Sequence, residues 1–275
     1  MDIRLISFDL DGTFLDDGKG IPPANLRALE RAAEKGVWIV PATGRIVAGL
    51  PDPLRTLPFM RYYITANGSY VYDAREDRAV ARAEIPLSRA LEFYCHADGL
   101  NVLYDCYQDN WGYMTERMYR EALRVIPNAG VRELILRLRT PVPELKAYLA
   151  DKGEDLQKLQ LFFTDMELRA RQLKELPERF PDLAFSTSMP FNIEINARTA
   201  TKGNALEALC CHLGLDPAQT IAFGDGTNDS DMLRAAGVGV AMANADEAVK
   251  AAADHVTGSN NDAGFAEAVE KFVLS

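Results

Sequence analysis

Short continuous apolar runs alternate with helical apolar spacing over most of this chain, and that alternation predicts its elements. Ile3 to Ser7, interrupted by Arg4, reads as a first strand. Pro22-Pro23 then opens a helix over Ala24 to Lys35, with Leu26, Leu29, Ala32 and Ala33 at helical spacing, and Gly36 ends it. Val37 to Val40 is a continuous apolar run of the kind buried in a parallel sheet. Strand, helix, strand in this order predicts an α/β fold. Tyr62 to Thr65 reads as a third strand running to the turn at Asn67-Gly68, and Tyr70 to Tyr72 with Ala79 to Ala81 reads as a hairpin.

From about Ala83 to Met189 the pattern changes. Helices are expected over Pro86 to Ala97, Glu116 to Val125, Val142 to Ala150 and Met166 to Glu175. Strands are expected over Asn101 to Cys106, Trp111 to Thr115, Leu156 to Thr164 and Leu183 to Thr187. This mixture suits an α+β insert. Its aromatics Tyr104, Tyr107, Trp111 and Tyr113 suit either a substrate face or ordinary core and cross-strand pairs. Phe191 to Ile195 reads as the return to the first pattern. The helix Asn204 to Leu213 and the strand Thr220 to Phe223 follow. The tail adds Val238 to Met242, a helix over Asp246 to Ala252, His255-Val256 and a last helix from Ala263. The expected organisation is therefore a doubly wound parallel sheet over residues 1–83 and 190–275, with an inserted α+β domain over 84–189.

Polar residues gather where the apolar runs end. Asp9-Leu10-Asp11-Gly12-Thr13 follows the first strand; residues i and i+2 of an extended chain face one way, so Asp9 and Asp11 can converge while Leu10 points into the fold. Two close carboxylates repel, and a bound divalent cation removes that penalty. Thr43-Gly44-Arg45 follows the second strand, at the rim where parallel sheets bind ligands, and its hydroxyl and N–H groups suit a phosphate oxygen; Thr43 equally suits a helix N-cap. Asn67 is structural first and substrate-facing second. Thr201 suits an N-cap, which puts Lys202 in a first helical turn, where the dipole disfavours a cation. Such a local violation points to a site, and its ammonium can reach a phosphate and a carboxylate. Gly224-Asp225-Gly226-Thr227-Asn228-Asp229 follows another buried strand. Asp225 suits a hard cation, Asn228 can donate to phosphate, and Asp229 can hold a metal-bound water or orient Lys202.

These four segments resemble the four motifs of the haloacid dehalogenase (HAD) superfamily: the Asp-x-Asp-Gly-Thr at residues 9–13, the Thr-Gly-Arg at 43–45, the Lys-Gly at 202–203 and the Gly-Asp-x-x-Asn-Asp at 224–229. The resemblance implies a Rossmann-like core in which Asp9 is a nucleophile forming an aspartyl phosphate, Asp11 the general acid/base and Lys202 a third catalytic group. It implies phosphate contacts at Leu10, Thr43, Gly44, Lys202 and Asn228, and Mg²⁺ held by Asp9, Asp11, Asp225 and Asp229. The segment from Thr13 to Pro22 is too short for a cap domain, and the large insert lies between the second and third motifs. That resembles the Cof-like branch, mostly phosphatases of sugar phosphates and related small metabolites, whose cap closes over the site as a lid.

Composition narrows the partners. The chain has 275 residues, 48% hydrophobic and 25% charged, enough for a sizeable core. A net charge of -10 disfavours nucleic acid, since a basic face is expected there. There is no apolar run long enough for a membrane span, and the amino terminus runs into a strand rather than a signal peptide. The cysteines, Cys95, Cys106, Cys210 and Cys211, form no Cys-x-x-Cys, so a reduced cytoplasm is expected. His96, His212 and His255 show no metal-ligand spacing. The expected partner is a small-molecule phosphate ester, with no nucleic acid and no membrane, and the chain is expected as a monomer or weak homodimer. Three readings compete: a Mg²⁺-dependent phosphatase, a phosphomutase or phosphotransferase using the same intermediate, and a non-catalytic sensor that keeps the fold. The sensor reading predicts the loss of an acid or of the lysine, and all are present.

Overall fold

The first strand, β1 (Leu5–Phe8), is buried on both faces and sits between β2 (Trp38–Pro41) and a strand from the far end of the chain. A computed structural model describes residues 2–126 and 128–275. In chain order, α1 (Pro23–Glu34) joins β1 to β2, and a short α2 (Asp52–Arg55) precedes the antiparallel β3 (Tyr62–Thr65), β4 (Tyr70–Asp73) and β5 (Arg78–Arg82). The insert carries α3 (Leu87–Asp98), β6 (Leu103–Gln108), β7 (Trp111–Thr115), α4 (Glu116–Val125), α5 (Ala129–Arg137), β8 (Arg139–Val142), α6 (Leu145–Lys152), β9 (Lys158–Phe162), α7 (Met166–Arg179), β10 (Leu183–Ser186) and β11 (Asn192–Ala197). The chain then continues through α8 (Lys202–Leu213), β12 (Thr220–Gly224), α9 (Ser230–Ala235), β13 (Val238–Ala241), α10 (Glu247–Lys250), β14 (His255–Val256) and α11 (Gly264–Val269).

These elements divide between two compact units, one of Met1–Gly44, Pro51–Arg82 and Thr201–Ser275, the other of Arg45–Leu50 and Ala83–Ala200. The first is built on a parallel sheet of order β14-β13-β12-β1-β2. The chain moves outward one way from β1 to β2 and later outward the other way from β12 to β14, so the strand order reverses between β1 and β12. Ligands bind beyond the carboxyl ends of the strands at such a reversal. One face of the sheet carries Leu5, Val40 and Ala222 against Leu206 and Leu209 of α8 and Met232 and Leu233 of α9. On the other, Phe8, Phe14, Phe223 and Phe265 form one aromatic cluster, with ring centroids 4.6 to 5.3 Å apart. Helices on both faces explain why β1 and β12 are mostly apolar and buried at every position.

The second unit is a six-stranded sheet of order β10-β11-β9-β6-β7-β8. Tyr104, Leu159, Leu161, Ile193 and Ile195 pack in its apolar core with Phe93 and Tyr94 of α3. Tyr113 packs on that core, whereas the Tyr107 ring lies against the Arg139 guanidinium and the Lys158 ammonium, 4.4 and 4.8 Å from its centroid.

Three expectations need correction. The strand expected to return to the parallel sheet at Phe191 to Ile195 instead pairs antiparallel with β9 and β10, so this unit extends to Ala200 rather than 189. The signal was there: Ile193 and Ile195 alternate with Asn192, Glu194 and Asn196, the antiparallel pattern rather than the parallel one. Val142, expected to open a helix, closes β8 instead, and the helix begins at Leu145; Pro141 within that strand is tolerated because β8 lies at the sheet's edge. The helix α5 was not anticipated, and α7 runs on past Pro177. Among the described residues no helix is long and apolar enough to cross a membrane.

Phe8 and Phe223 immediately precede the polar segments at residues 9 and 224, and Phe265 packs on both. Phe265→Ala is expected to cost about 3–5 kcal/mol of stability in urea unfolding, the usual range for emptying a buried aromatic site. A loss under about 1 kcal/mol would show that α11 does not brace these loops.

Candidate active site

Four polar segments meet where the strand order reverses. Asp9 follows β1 directly, and its N–H donates to the carbonyl of Phe223 in β12 at 3.0 Å. Asp225 follows β12. Thr201 caps α8 by accepting from the Asn204 N–H at 3.1 Å, so Lys202 opens the helix as the sequence indicated, with its side chain fully buried. Its ammonium donates to Asp9 Oδ1 and to Asp229 Oδ1, both at 2.6 Å. Asp229 Oδ2 accepts the backbone N–H groups of Asp225 and Gly226 at 3.1 and 2.9 Å. Both oxygens of Asp229 are thereby engaged, which makes it the group that fixes Lys202 and the loop at 224–226.

Asp9, Asp225 and Asp229 each offer a carboxylate oxygen within 4.8 Å of the others. Three acids face one ammonium. Burial raises the Asp9 carboxyl to about 7, with Lys202 pulling it down and Asp229 and Asp225 pushing it up. Burial likewise raises Asp225 to about 6, against the Thr13 hydroxyl, which donates to its Oδ1 at 2.6 Å. Burial alone would lower Lys202, but Asp229 and Asp9, its two hydrogen-bond partners, hold it well above the usual lysine range. The Oδ2 atoms of Asp9 and Asp225 take no hydrogen bond from the described residues. A hard divalent cation fits this donor set: it prefers carboxylate oxygens and offsets the charge that one lysine leaves uncompensated. Gly12, at φ +84, is needed beside it, because a Cβ there would collide with the Asp225 carboxylate.

Asp11 departs from the expected convergence. The chain leaves the extended conformation after Phe8, where the Phe14 and Leu15 N–H groups fold back to the carbonyls of Asp9 and Leu10, at 3.3 and 2.9 Å. The i, i+2 rule therefore lapses, and the Asp11 carboxylate lies outside the group of three and pairs with Lys19 at 2.8 Å. It remains near enough to raise Asp225. The Leu10 side chain is buried, as expected.

Thr43 is buried at the end of β2 but caps no helix: the next helical turn is a single 3₁₀ turn at Val47–Gly49, capped by Ile46. Its N–H donates to Ile64 and its carbonyl accepts from Asn67, at 2.9 and 3.0 Å, and so it is tied to β3. Asn67, in the left-handed region at φ 61, accepts from Asn228 Nδ2 at 3.3 Å and lies 2.8 Å from where a Cβ on Gly44 would stand. Gly44, Asn67 and Asn228 are thus brought together, and Asn67 is part of the site's wall rather than only a turn residue. Lys19 was missed; nothing in Gly18-Lys19-Gly20 signals a partner for Asp11.

A family model described as haloacid dehalogenase-like hydrolase matches residues 6–269. The chain is 30% identical over 278 residues to the 5-amino-6-(5-phospho-D-ribitylamino)uracil phosphatase YcsE of Bacillus subtilis, covering all of this chain and 97% of that protein. Among solved structures, a haloacid dehalogenase-like hydrolase from Bacteroides thetaiotaomicron matches with a TM-score of 0.83 at 27% identity, over 98% of this chain and 99% of that one. A sugar phosphatase of HAD subclass IIB matches with a TM-score of 0.81 at 25% identity, over 99% of this chain and all of that one.

Three outcomes follow from the charges. Lys202→Met leaves Asp9 and Asp229 face to face, and it is expected to cost about 3–5 kcal/mol in urea unfolding of the cation-free protein, as for a buried pair stripped of one partner; a loss below about 1 kcal/mol would refute the closed charge unit. A carboxyl whose folded value is raised stabilises the fold when protonated, so the cation-free protein loses stability as pH rises from about 4 to 7. A cation needs the ionised forms, so the rise in melting temperature with Mg²⁺ should be large near pH 8 and nearly absent near pH 5. An equal rise at both would show that it binds elsewhere.

Proposed function

Because the chain belongs to the haloacid dehalogenase-like hydrolase family, we propose that it is a Mg²⁺-dependent phosphatase of small phosphorylated metabolites, acting through an aspartyl phosphate on Asp9. The observation that carries this reading is the buried Lys202 ammonium held between Asp9 and Asp229, with Asp225 in reach, at the reversal of strand order. The named activities of the relatives, on a ribityl phosphate and a sugar phosphate, support a small phosphate ester of a sugar or polyol as substrate.

The chemical problem is to bring a carboxylate against a phosphate dianion, both negative. A Mg²⁺ held by the carboxylates of Asp9 and Asp225 and the main-chain carbonyl of Asp11 supplies the neutralising charge when bound. Lys202 fixes Asp9 through Oδ1 and favours its ionised form against the burial that opposes it. Asp9 attacks phosphorus and the bond from phosphorus to the ester oxygen breaks. Asp11, less buried than Asp9, protonates the departing alkoxide; it then takes a proton from the water that attacks the aspartyl phosphate, which releases Asp9 and inorganic phosphate. The Thr43 hydroxyl, the Leu10 and Gly44 N–H groups and the Asn228 amide donate to phosphate oxygens as charge redistributes. Asp229 keeps Lys202 aimed.

Purified protein screened with Mg²⁺ against a panel of phosphorylated sugars, polyols and cofactors should release inorganic phosphate from at least one. Asp9→Asn should abolish that release, and chelation should do so reversibly. Activity near that of the unsubstituted protein in Asp9→Asn would refute the nucleophile. Transfer to an added sugar acceptor without phosphate release would make the enzyme a phosphotransferase instead.

A further inference from the structure

The loop that follows the proposed nucleophile is held by side-chain amides. Asn244 Nδ2 donates to the Gly12 carbonyl at 2.8 Å, Asn25 Nδ2 to the Phe14 carbonyl at 2.9 Å, and Asn260 Nδ2 to the Leu15 carbonyl at 3.0 Å. The three come from separate places: Asn25 from α1, Asn244 from the segment after β13, Asn260 from the turn before α11. Two of them are linked, since the Asn260 N–H donates to Asn244 Oδ1 at 3.1 Å. Asn260 is itself seated by Ser259, whose hydroxyl donates to its Oδ1 at 3.3 Å. Asn25 and Asn260 are buried.

Loop carbonyls are normally satisfied by water or by their own backbone. Here three neighbouring ones are satisfied by neutral side-chain amides, and the Asn260 amide donates to Asp17 Oδ1 as well, at 3.1 Å. The choice of donor matters. A lysine or arginine at position 244, which reaches Gly12 beside Asp225, would bring a charge that competes for that carboxylate, whereas an aspartate there would repel both the carboxylate and the Gly12 carbonyl. An amide fixes the backbone and leaves the local charge unchanged. Asn25 shows that the donor is the useful part: its Oδ1 is buried without a hydrogen-bond partner, an arrangement that costs free energy and that a leucine of similar size would avoid.

We infer that Asn25, Asn244 and Asn260 form an uncharged amide clamp that sets the conformation of residues 12–15, and through it the placement of Asp11 and of Thr13 against Asp225. They are positioning residues, and their effect on turnover rests on the phosphatase reading. Asn244 is the residue to change first, because it is exposed and its loss leaves no cavity.

The test compares Asn244→Ala, Asn260→Ala and the double variant with the unsubstituted protein. Amide hydrogen exchange over residues 12–17 is read first. The Phe14 and Leu15 amides, bonded to Asp9 and Leu10, should exchange at least about tenfold faster in Asn244→Ala, while the amides of β1 and β12 keep their protection. Steady-state kinetics on the best ester from the screen are read second. Here kcat should fall about 10- to 100-fold at nearly constant KM, and the double variant should lose less than the two losses combined, since the residues act through one link. Unchanged exchange in Asn244→Ala overturns the clamp. Faster exchange with unchanged kcat overturns its positioning role. If the loop loosens as described but the unsubstituted protein hydrolyses no ester, the phosphatase reading fails and the clamp on the loop stands.

Discussion

One buried ammonium sets the terms for the first unit. Lys202 has no exposed surface, and its two contacts reach Asp9 at the start of the chain and Asp229 near its end, both at 2.6 Å. A lysine in a dry interior is unfavourable unless its charge is met, and carboxylates pressed together are unfavourable unless theirs is. Each group makes the other two tolerable. The strand ends that carry them must therefore lie side by side, which is why β1 and β12 are neighbours with Phe8 opposite Phe223. The balance is deliberately incomplete in charge: a third acid, Asp225, joins without a second lysine. Burial, and after it the neighbouring acids, raise the Asp9 and Asp225 carboxyls, and a divalent cation fits this donor set because it would offset both costs.

Around this centre the fold supplies rigidity from two directions. Beneath the loops, four phenylalanines pack in edge-to-face and tilted contacts, so that the residues preceding both acidic segments are anchored in the core. Above them, backbone hydrogen bonds and asparagine amides hold the turns. Glycines are placed where a side chain would meet the site itself: Gly12 against Asp225 and Gly44 against Asn67. Precision of this sort matters for phosphoryl transfer, where positioning and electrostatics supply nearly all of the catalysis.

Much of this was legible in one dimension. Asp9, Thr43, Lys202 and Asp225 each end an apolar run or begin a helix, and parallel strands in a doubly wound sheet all point their carboxyl ends the same way. The residues missed or misplaced share a physical cause. Asp11 was expected beside Asp9 on the premise of an extended chain, and the chain turns there to satisfy the carbonyls of residues 9 and 10. Thr43 suited an N-cap, but Pro51 and the 3₁₀ turn at Val47–Gly49 put the next α-helix several residues on. The strand at Asn192–Ala197 alternates polar and apolar residues yet is buried at every position, so its burial resembles that of the parallel strands although it pairs antiparallel.

The amino-acid sequence alone determined the class of fold, the location of the insert to within about ten residues at its carboxyl-terminal end, and that Asp9, Lys202, Asp225 and Asp229 belong to one site, because these depend on local periodicity and on side-chain chemistry. Tertiary structure alone decided which acid faces which. Asp229 binds Lys202 with one oxygen and two backbone amides with the other, Asp11 turns to Lys19, and Asn25, Asn244 and Asn260 reach back to one loop. Those pairings join residues as much as 245 positions apart, and no periodicity along the chain encodes a contact that only the packing of strands and helices brings about.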